Sequence, residues 1–373
     1  MSFFSNIFAA KQEQSVLGID IGSSAIKIVQ IKRQNGQAVL ETYGELALGP
    51  YAGGTIGQAV VMSPEKIAQA LIDLIKEKEV NITTKKCGVS IPFASSLMTI
   101  VEMPEVSNKQ LATMVPIEAR KYIPVPISEV VLDWSLIPKT EIAVEETNTP
   151  TPTSDLQKTT RKIDVLVVAI HKDTISRFEE IISKSGLEAS FFEIEIFSTM
   201  RAVLDDSLTP VMIMDMGAAS TKLYLIERGV IKSSHTVNRG SQDITSTISK
   251  SLGLTLERSE VMKRTIGATG EDKTLTSVIS LTLDYIFEEA NRILLTFEKK
   301  YNKTVTKIIL VGGGASLKGL SGLAKNNFKT NAMTGDPFNK LSSPAFLDSI
   351  LKETGPEFAV AIGAALRKLS EEG

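Results

Sequence analysis

A single cysteine, Cys87, stands in 373 residues. One thiol excludes a disulfide framework and a cysteine-based metal site, and it fits a reducing compartment. The two histidines, His171 and His235, are too few and too far apart for a zinc motif. Aromatic residues make up only 6%, with one tryptophan, Trp134, and no basic cluster is interleaved with them. Nothing in that pattern points to nucleic acid. Charge of either sign is not in excess: 41 basic residues face 43 acidic ones, for a net charge of -2. No apolar run reaches the roughly 18–20 residues that a membrane span needs. The N-terminus lacks the basic region and long apolar core of a secretory signal. The expectation is a cytoplasmic protein whose membrane contact runs through a partner or a surface. The chain has the length of two to three domains and an ordinary apolar content of 43%.

What the chain does have is a repeat. Ile19-Asp20-Ile21-Gly22-Ser23-Ser24-Ala25-Ile26-Lys27 returns as Met214-Asp215-Met216-Gly217-Ala218-Ala219-Ser220-Thr221-Lys222. Apolar runs flank both copies, so each reads as a β-hairpin with a Gly/Ser tip. Backbone N–H groups and hydroxyls at such a tip can point at anionic oxygens, and the aspartate can hold Mg²⁺ through water. Two tips facing each other would clamp one polyphosphate from both sides. Lys27 and Lys222 fall at the same offset. Lys27 reads as a positive charge beside the phosphates, and Lys222 as a solvated strand lysine.

Two further motifs follow. Ile308–Val311 is an apolar strand running into Gly312-Gly313-Gly314 and then a helix. Glycines there let the backbone approach a ligand, and the helix N-terminus favours anions. No Gly-Lys-Ser/Thr follows, so this is not a Walker loop. Glu260, Lys263 and Arg264 share one helix face at i, i+3, i+4 spacing, which in isolation reads as a surface ion pair. Elsewhere, residues 87–101 read as strand and Ile163–Ile170 as a strand of continuous apolar character. A helix starts after Ser107, with Pro116 bending or interrupting it, and 255–304 read as helical throughout. The final helix carries Ala361, Gly363, Ala364 and Ala365, which permit close helix–helix approach. The tail 1–14 holds Phe3, Phe4, Ile7 and Phe8, and either packs on its own domain or docks on a partner or membrane.

In this order the motifs resemble the actin/Hsp70/FtsA-like nucleotide-binding superfamily across nearly the whole chain. The stretch Gln110–Pro126 with its Glu118-Ala119-Arg120-Lys121-Tyr122-Ile123-Pro124-Val125-Pro126, followed by Val131-Leu132-Asp133-Trp134, is similar to the extra subdomain of the PilM family of type IV pilus assembly. The resemblance implies an α/β, actin-like ATPase (ribonuclease H-like) fold, with two lobes around a nucleotide cleft and an FtsA-type extra subdomain. The expected division is a tail 1–14; a first lobe of 15–90 and 171–209; an insert 91–170 with a mobile loop 138–162; a second lobe of 210–254 and 305–373; and a helical subdomain 255–304.

ATP and Mg²⁺ are the implied cofactors. Asp20 and Asp215 would hold the metal–phosphate unit. Gly22, Ser23, Ser24, Gly217, Ala218 and Ser220 would supply donors, with Lys27 beside them. Glu260, Lys263, Gly312, Gly313 and Gly314 would line ribose and base. The motifs identify no group to orient an attacking water, so the reading is a nucleotide switch with weak or absent hydrolysis. By resemblance, the partner is the cytoplasmic N-terminal tail of the membrane protein PilN, in a groove that includes residues near Met114–Trp134. PilN would connect the protein to PilO and to the pilus motor ATPases. An FtsA-like filament former and a superfamily sugar or acyl kinase are the rival readings.

Overall fold

Apolar alternation on either side of Gly22 and Gly217 builds two sheets of the same plan. The computed structural model describes residues 15–137, 162–205, 208–269 and 272–371. The N-terminal tail and the Thr/Pro-rich stretch before Lys162 lie outside them. β1 (Ser15–Ile21) and β2 (Ala25–Gln34) pair as an antiparallel hairpin. Asn35 and Gly36, at φ 52° and 79°, turn the chain into β3 (Gln37–Ala47). Asparagine and glycine tolerate positive φ, which a two-residue hairpin turn requires. α1 (Pro64–Lys76) has proline at its start, where the missing N–H costs nothing, and buries Ile67, Ala70, Leu71 and Leu74. β4 (Lys86–Ile91) then runs parallel to β1.

The apolar run 87–101 is not one strand. Pro92 has no N–H to give to a ladder, and the run divides there into β4 and β5 (Ser96–Pro104), which belong to different sheets. α2 (Asn108–Ala119) opens on a capping box between Ser107 and Gln110. It continues through Pro116, which leaves one intrahelical bond unmade. β6 (Val130–Ile137) and β7 (Lys162–His171) complete an antiparallel sheet in the order β5-β7-β6. β7 is not buried evenly along its length. Val165, Val167 and Ala169 enter the core while Leu166 and Val168 are half-buried, the alternation of a sheet covered on one face. Trp134 packs partly against this core, whereas Tyr122 is 46% exposed.

α3 (Lys172–Lys184) stops before Gly186, at φ 72°. β8 (Glu188–Ile194) completes the first five-stranded sheet, β3-β2-β1-β4-β8, and α4 (Glu195–Val203) follows. The second sheet is built from β9 (Val211–Met216), β10 (Thr221–Glu227) and β11 (Val230–Val237). After α5 (Ser241–Leu252), α6 (Leu256–Ile266) and α7 (Lys273–Tyr301), the chain returns through β12 (Lys307–Val311), α8 (Leu320–Phe328) and β13 (Asn331–Thr334). Its order, β11-β10-β9-β12-β13, repeats that of the first sheet. Residues 255–304 are not one helical block. Gly267, at φ 69° and tight against Lys318, ends α6. α9 (Asp348–Thr354) and α10 (Ala359–Glu371) close the chain. Met212, Met214, Leu223 and Leu225 pack on Ile244 and Ile248 of α5 and Leu275, Ile279 and Leu283 of α7.

Two compact units result: Met1–Pro92 with Phe178–Gly373, and Phe93–Arg177. Within the first, α10 packs on both β1 and α4 at backbone distance. A Cβ on Gly18 would lie 1.9 Å from the Ala361 carbonyl, and one on Gly363 would lie 1.8 Å from the Ser198 carbonyl. The small-residue face of the last helix is what admits this approach. Glu193, at the end of β8, ties the crossing together. Its carboxylate accepts from Ser198 (2.6 Å), twice from Arg201 (2.9 Å each) and from Arg367 (3.0 Å).

Gly363→Ala gains about 1 kcal/mol of helix propensity, but overpacking against backbone costs about 1–3 kcal/mol or more. The clash wins. The thermal unfolding midpoint is expected to fall by about 3 °C or more, and an unchanged or raised midpoint contradicts the packing described.

Candidate functional site

Each repeat folds into a tight tip closed by the same bond. Gly22 N–H donates to the Ala25 carbonyl at 3.0 Å, and Gly217 N–H donates to the Ser220 carbonyl at 3.0 Å. Below each tip an aspartate and a lysine face each other across the hairpin, Asp20 with Lys27 and Asp215 with Lys222. Asp20 accepts from Ser90 Oγ at 2.9 Å. Burial pushes its carboxyl above the usual range, against the pull of Lys27 and Ser90. Burial alone would lower Lys27, but Glu45 (3.4 Å from its ammonium), Glu357 and Asp20 outweigh it and hold it above the usual lysine value. Lys222 is not a solvated lysine. Its side chain is 16% exposed, and its ammonium lies 2.8 Å from Glu195 and 3.4 Å from Asp215. Burial opposes the charge, yet these carboxylates raise the pKa, so Lys222 is an ammonium at neutral pH.

The Glu260 cluster is no surface ion pair either. Glu260 and Lys263 are only 4% and 6% exposed. Glu260 accepts from Lys263 Nζ (2.6 Å), Thr245 Oγ1 (2.6 Å) and Arg264 Nε (2.7 Å). Lys263 also donates to the Ser241 carbonyl at 3.1 Å, which ties α6 to the start of α5. Burial raises the Glu260 pKa, but Lys263, Thr245 and Arg264 prevail and lower it. For Lys263 burial is the larger effect and lowers its pKa, with Glu260 resisting. Such a network is costly to break, because a lost partner leaves a charge buried alone.

The loop between β3 and α1 reaches this cluster. Gly57 sits at φ 82°, and a Cβ on it would fall 2.6 Å from Glu260 Oε1. Nearby, Ala59 N–H donates to Gln242 Oε1 at 3.0 Å, and Val60 N–H donates to the Ser23 carbonyl at 2.9 Å. The loop therefore joins the first tip to α5 and α6.

Gly312, at φ 83°, brings β12 against the second hairpin. A Cβ there would lie 2.4 Å from Asp215 Oδ1 and 2.7 Å from the Met216 carbonyl. A long helix does not follow directly. Gly313–Ser316 form a single 3₁₀ turn, and α8 begins only at Leu320, after Gly319 at φ 85°. Close backbone approach, rather than an α-helix dipole, is what Gly312–Gly314 contribute. The Gly312 N–H donates to the Pro356 carbonyl at 2.8 Å, which brings Glu357 to the same wall. Burial pushes the Glu357 carboxyl up to about 7, with Glu45 adding to the shift and Lys27 and Arg264 opposing it.

One cleft of about 340 Å³ gathers every residue expected to hold the nucleotide: Asp20, Gly22, Ser23, Ser24, Lys27, Asp215, Gly217, Ala218, Ser220, Glu260, Lys263, Gly312, Gly313 and Gly314. That volume falls within the roughly 300–1,000 Å³ of small-molecule sites. Glu45, Glu195, Lys222, Ser241, Arg264 and Glu357 also line it. The reading of the sequence passed over Glu45, Glu195, Ser241 and Glu357. Glu45 pairs with Lys27 across β2 and β3, but a bulge between Gln30 and Ile31 hides that pairing from a straight count along the hairpin. Glu195 and Glu357 are brought in by the chain's return and carry no local spacing signal.

Glu357 gives a pH prediction. The folded protein holds its proton between the ordinary 4.5 and about 7, so stability is lost as pH rises through that window. Glu357→Gln mimics the protonated form. It should be more stable than the natural protein by about 2 kcal/mol near pH 8 and no different near pH 4. Thermal unfolding at both values checks this, and a variant no more stable near pH 8 contradicts it.

The sequence model of the type IV pilus assembly protein PilM matches residues 18–369. A solved PilM-PilN type IV pilus biogenesis complex aligns with a TM-score of 0.77 and 25% identity, covering 95% of this chain and 98% of that one. Cell division protein FtsA of Neisseria meningitidis serogroup B is 22% identical over 364 residues, covering 88% of this chain and 85% of the relative. MreB 5 of Spiroplasma citri, solved bound to AMPPNP, shares the fold with a TM-score of 0.51 at 12% identity, over 96% of this chain and 97% of that one. The fold is that of the actin-like ATPases, and the chain belongs to the PilM family of type IV pilus assembly proteins.

Proposed function

We propose that the cleft binds ATP with Mg²⁺ and that the protein, as a nucleotide-dependent switch of type IV pilus assembly, holds the N-terminal tail of PilN. The observation that carries the nucleotide reading is the mirrored pair of tips, each with an aspartate and a lysine beneath it, lining one cleft. The donor set fits the group. Mg²⁺ keeps most of its waters and takes one or two carboxylates together with substrate phosphates, and Asp20 and Asp215 put one carboxylate beneath each tip. Bound there, the ion would neutralise phosphate charge. The tips supply N–H groups and the Ser23, Ser24 and Ser220 hydroxyls, while Lys27 balances the anion. Glu260, Lys263 and Gly312–Gly314 form the wall for ribose and base. A ligand that contacts both lobes favours the closed cleft by its differential affinity for that state. Switching by closure needs no fast hydrolysis. The solved MreB 5, with its AMPPNP, is a fold neighbour that supports the same reading.

For the partner, the support is the solved PilM-PilN complex together with the surface of the Phe93–Arg177 unit. Among the described residues β6 is an edge strand of its sheet, and Val131 upon it is 46% exposed. Ile117 (59%) and Tyr122 (46%) are exposed on the same unit. A strand edge that no described residue pairs with, carrying apolar side chains, suits an extended peptide that adds a strand. Residues within Met114–Trp134 are therefore assigned to part of the PilN groove. Among the described residues no helix is long and apolar enough to cross a membrane. Attachment to the inner membrane would come through PilN and its companion PilO, and the cytoplasmic motor ATPases would be reached from that platform.

Asp215→Ala is expected to weaken Mg-ATP binding tenfold or more in isothermal titration while the fold survives. Unchanged affinity removes Asp215 from the site. A peptide of the cognate PilN tail should bind the natural protein, and Val131→Asp should weaken it about tenfold, roughly 1.4 kcal/mol, without altering ATP affinity. Folded protein that ignores the peptide contradicts the partner assignment.

A further inference from the structure

We propose that Lys222 is the residue by which this cleft distinguishes a nucleoside triphosphate from a diphosphate. The inference rests on the nucleotide reading above and goes further, since it names a side chain that the repeat alone left as a solvated lysine. Lys222 lies on β10, two residues past the Ser220 tip and directly across from Asp215. Its side chain is 16% exposed and lines the cleft, so the ammonium is screened from bulk water yet open to a ligand.

The two lysines of the repeat are not equivalent. Lys27 is paired with Glu45, on the next strand of its own sheet, at 3.4 Å. The Lys222 ammonium instead bridges the second hairpin and the first turn of α4, 3.4 Å from Asp215 Oδ2 and 2.8 Å from Glu195 Oε2. Lys222 thus has Asp215 and Glu195 in direct contact, with Asp20 of the first hairpin close enough to act on its charge. Mg-ATP brings one more negative charge to this place than Mg-ADP. Without a cation here, Asp215 and Glu195 would repel the terminal phosphate in a site where water screens poorly. With Lys222 present, its ammonium can exchange Glu195 for the terminal phosphate while keeping Asp215 as neighbour. Glu195 tolerates the loss, because the first turn of α4 stabilises a carboxylate through the helix dipole. A diphosphate leaves the Lys222–Glu195 pair intact and gains nothing from it. Discrimination follows from that difference in affinity, without any step of hydrolysis.

The test is binding of Mg-AMPPNP and Mg-ADP by isothermal titration, with the non-hydrolysable analogue separating affinity from turnover. Three variants are compared with the natural protein. Lys222→Met removes the charge but strands two carboxylates. Lys222→Met/Glu195→Gln removes one charge of each sign and so leaves the net charge of the site unchanged. Lys222→Arg keeps a cation. The preference for AMPPNP over ADP should fall at least tenfold in both methionine variants, through the AMPPNP affinity, with ADP affinity changed less than threefold. Lys222→Arg should retain part of the preference. A double variant whose preference is unchanged, or whose two affinities fall together, overturns the role of Lys222. Natural protein that binds neither nucleotide is a different failure, since it removes the nucleotide reading itself and this inference with it.

Discussion

Opposite charges held across a hairpin, twice, are what this molecule is organised around. A carboxylate taken out of water carries a penalty of several kcal/mol unless a cation stands beside it. Asp20 and Asp215 each have that cation one strand away, at the register set by a Gly-closed tip. The arrangement lets two acids stay in a sheltered cleft, where the proposed metal–phosphate unit would meet them. It also explains why the tips must be tight. Loosening either bond between Gly22 and Ala25, or Gly217 and Ser220, would shift the strand register and separate acid from base.

The rest of the fold brings these two hairpins into one cleft. Each lies in a sheet of the same strand order. α10 packs against β1 and α4 so closely that glycine is required at both Gly18 and Gly363. Glu193, held by Arg201 and Arg367, joins β8, α4 and α10 at that crossing. The loop through Gly57 and Ala59 adds a second link, from the first sheet to α5 and α6, at the cleft's rim. A ligand touching both tips would therefore act on a body with few ways to move, which is the physical basis of the proposed switch.

Much of this was legible in the sequence. The paired D-x-G tips, the Gly312–Gly314 turn and the Glu260 helix all meet in one cleft, because strand alternation and helical spacing are local properties. What was not legible was long-range or hidden by irregularity. A bulge between Gln30 and Ile31 shifts the β2–β3 register by one residue. Counting straight from the Asn35-Gly36 turn sets Gly44 opposite Lys27, when the true neighbour is Glu45. Lys222 looked solvated because its partner, Glu195, lies on another element, 27 residues away in sequence. The Glu260 pair looked superficial because helical spacing shows which residues share a face but not what covers it. Pro92 and Gly267 divide runs that hydropathy joins, since a missing N–H and a positive φ leave no trace in an apolar average.

The central claim is that one polyphosphate is shared between two duplicated tips, and a crystal structure of the protein grown with Mg²⁺ and a non-hydrolysable ATP analogue tests it most directly. The account predicts phosphate density between Gly22–Ala25 and Gly217–Ser220, with the metal beside Asp20 and Asp215 and the base against Glu260 and Gly313. Nucleotide bound elsewhere, or gripped by one tip while the other faces solvent, would contradict it.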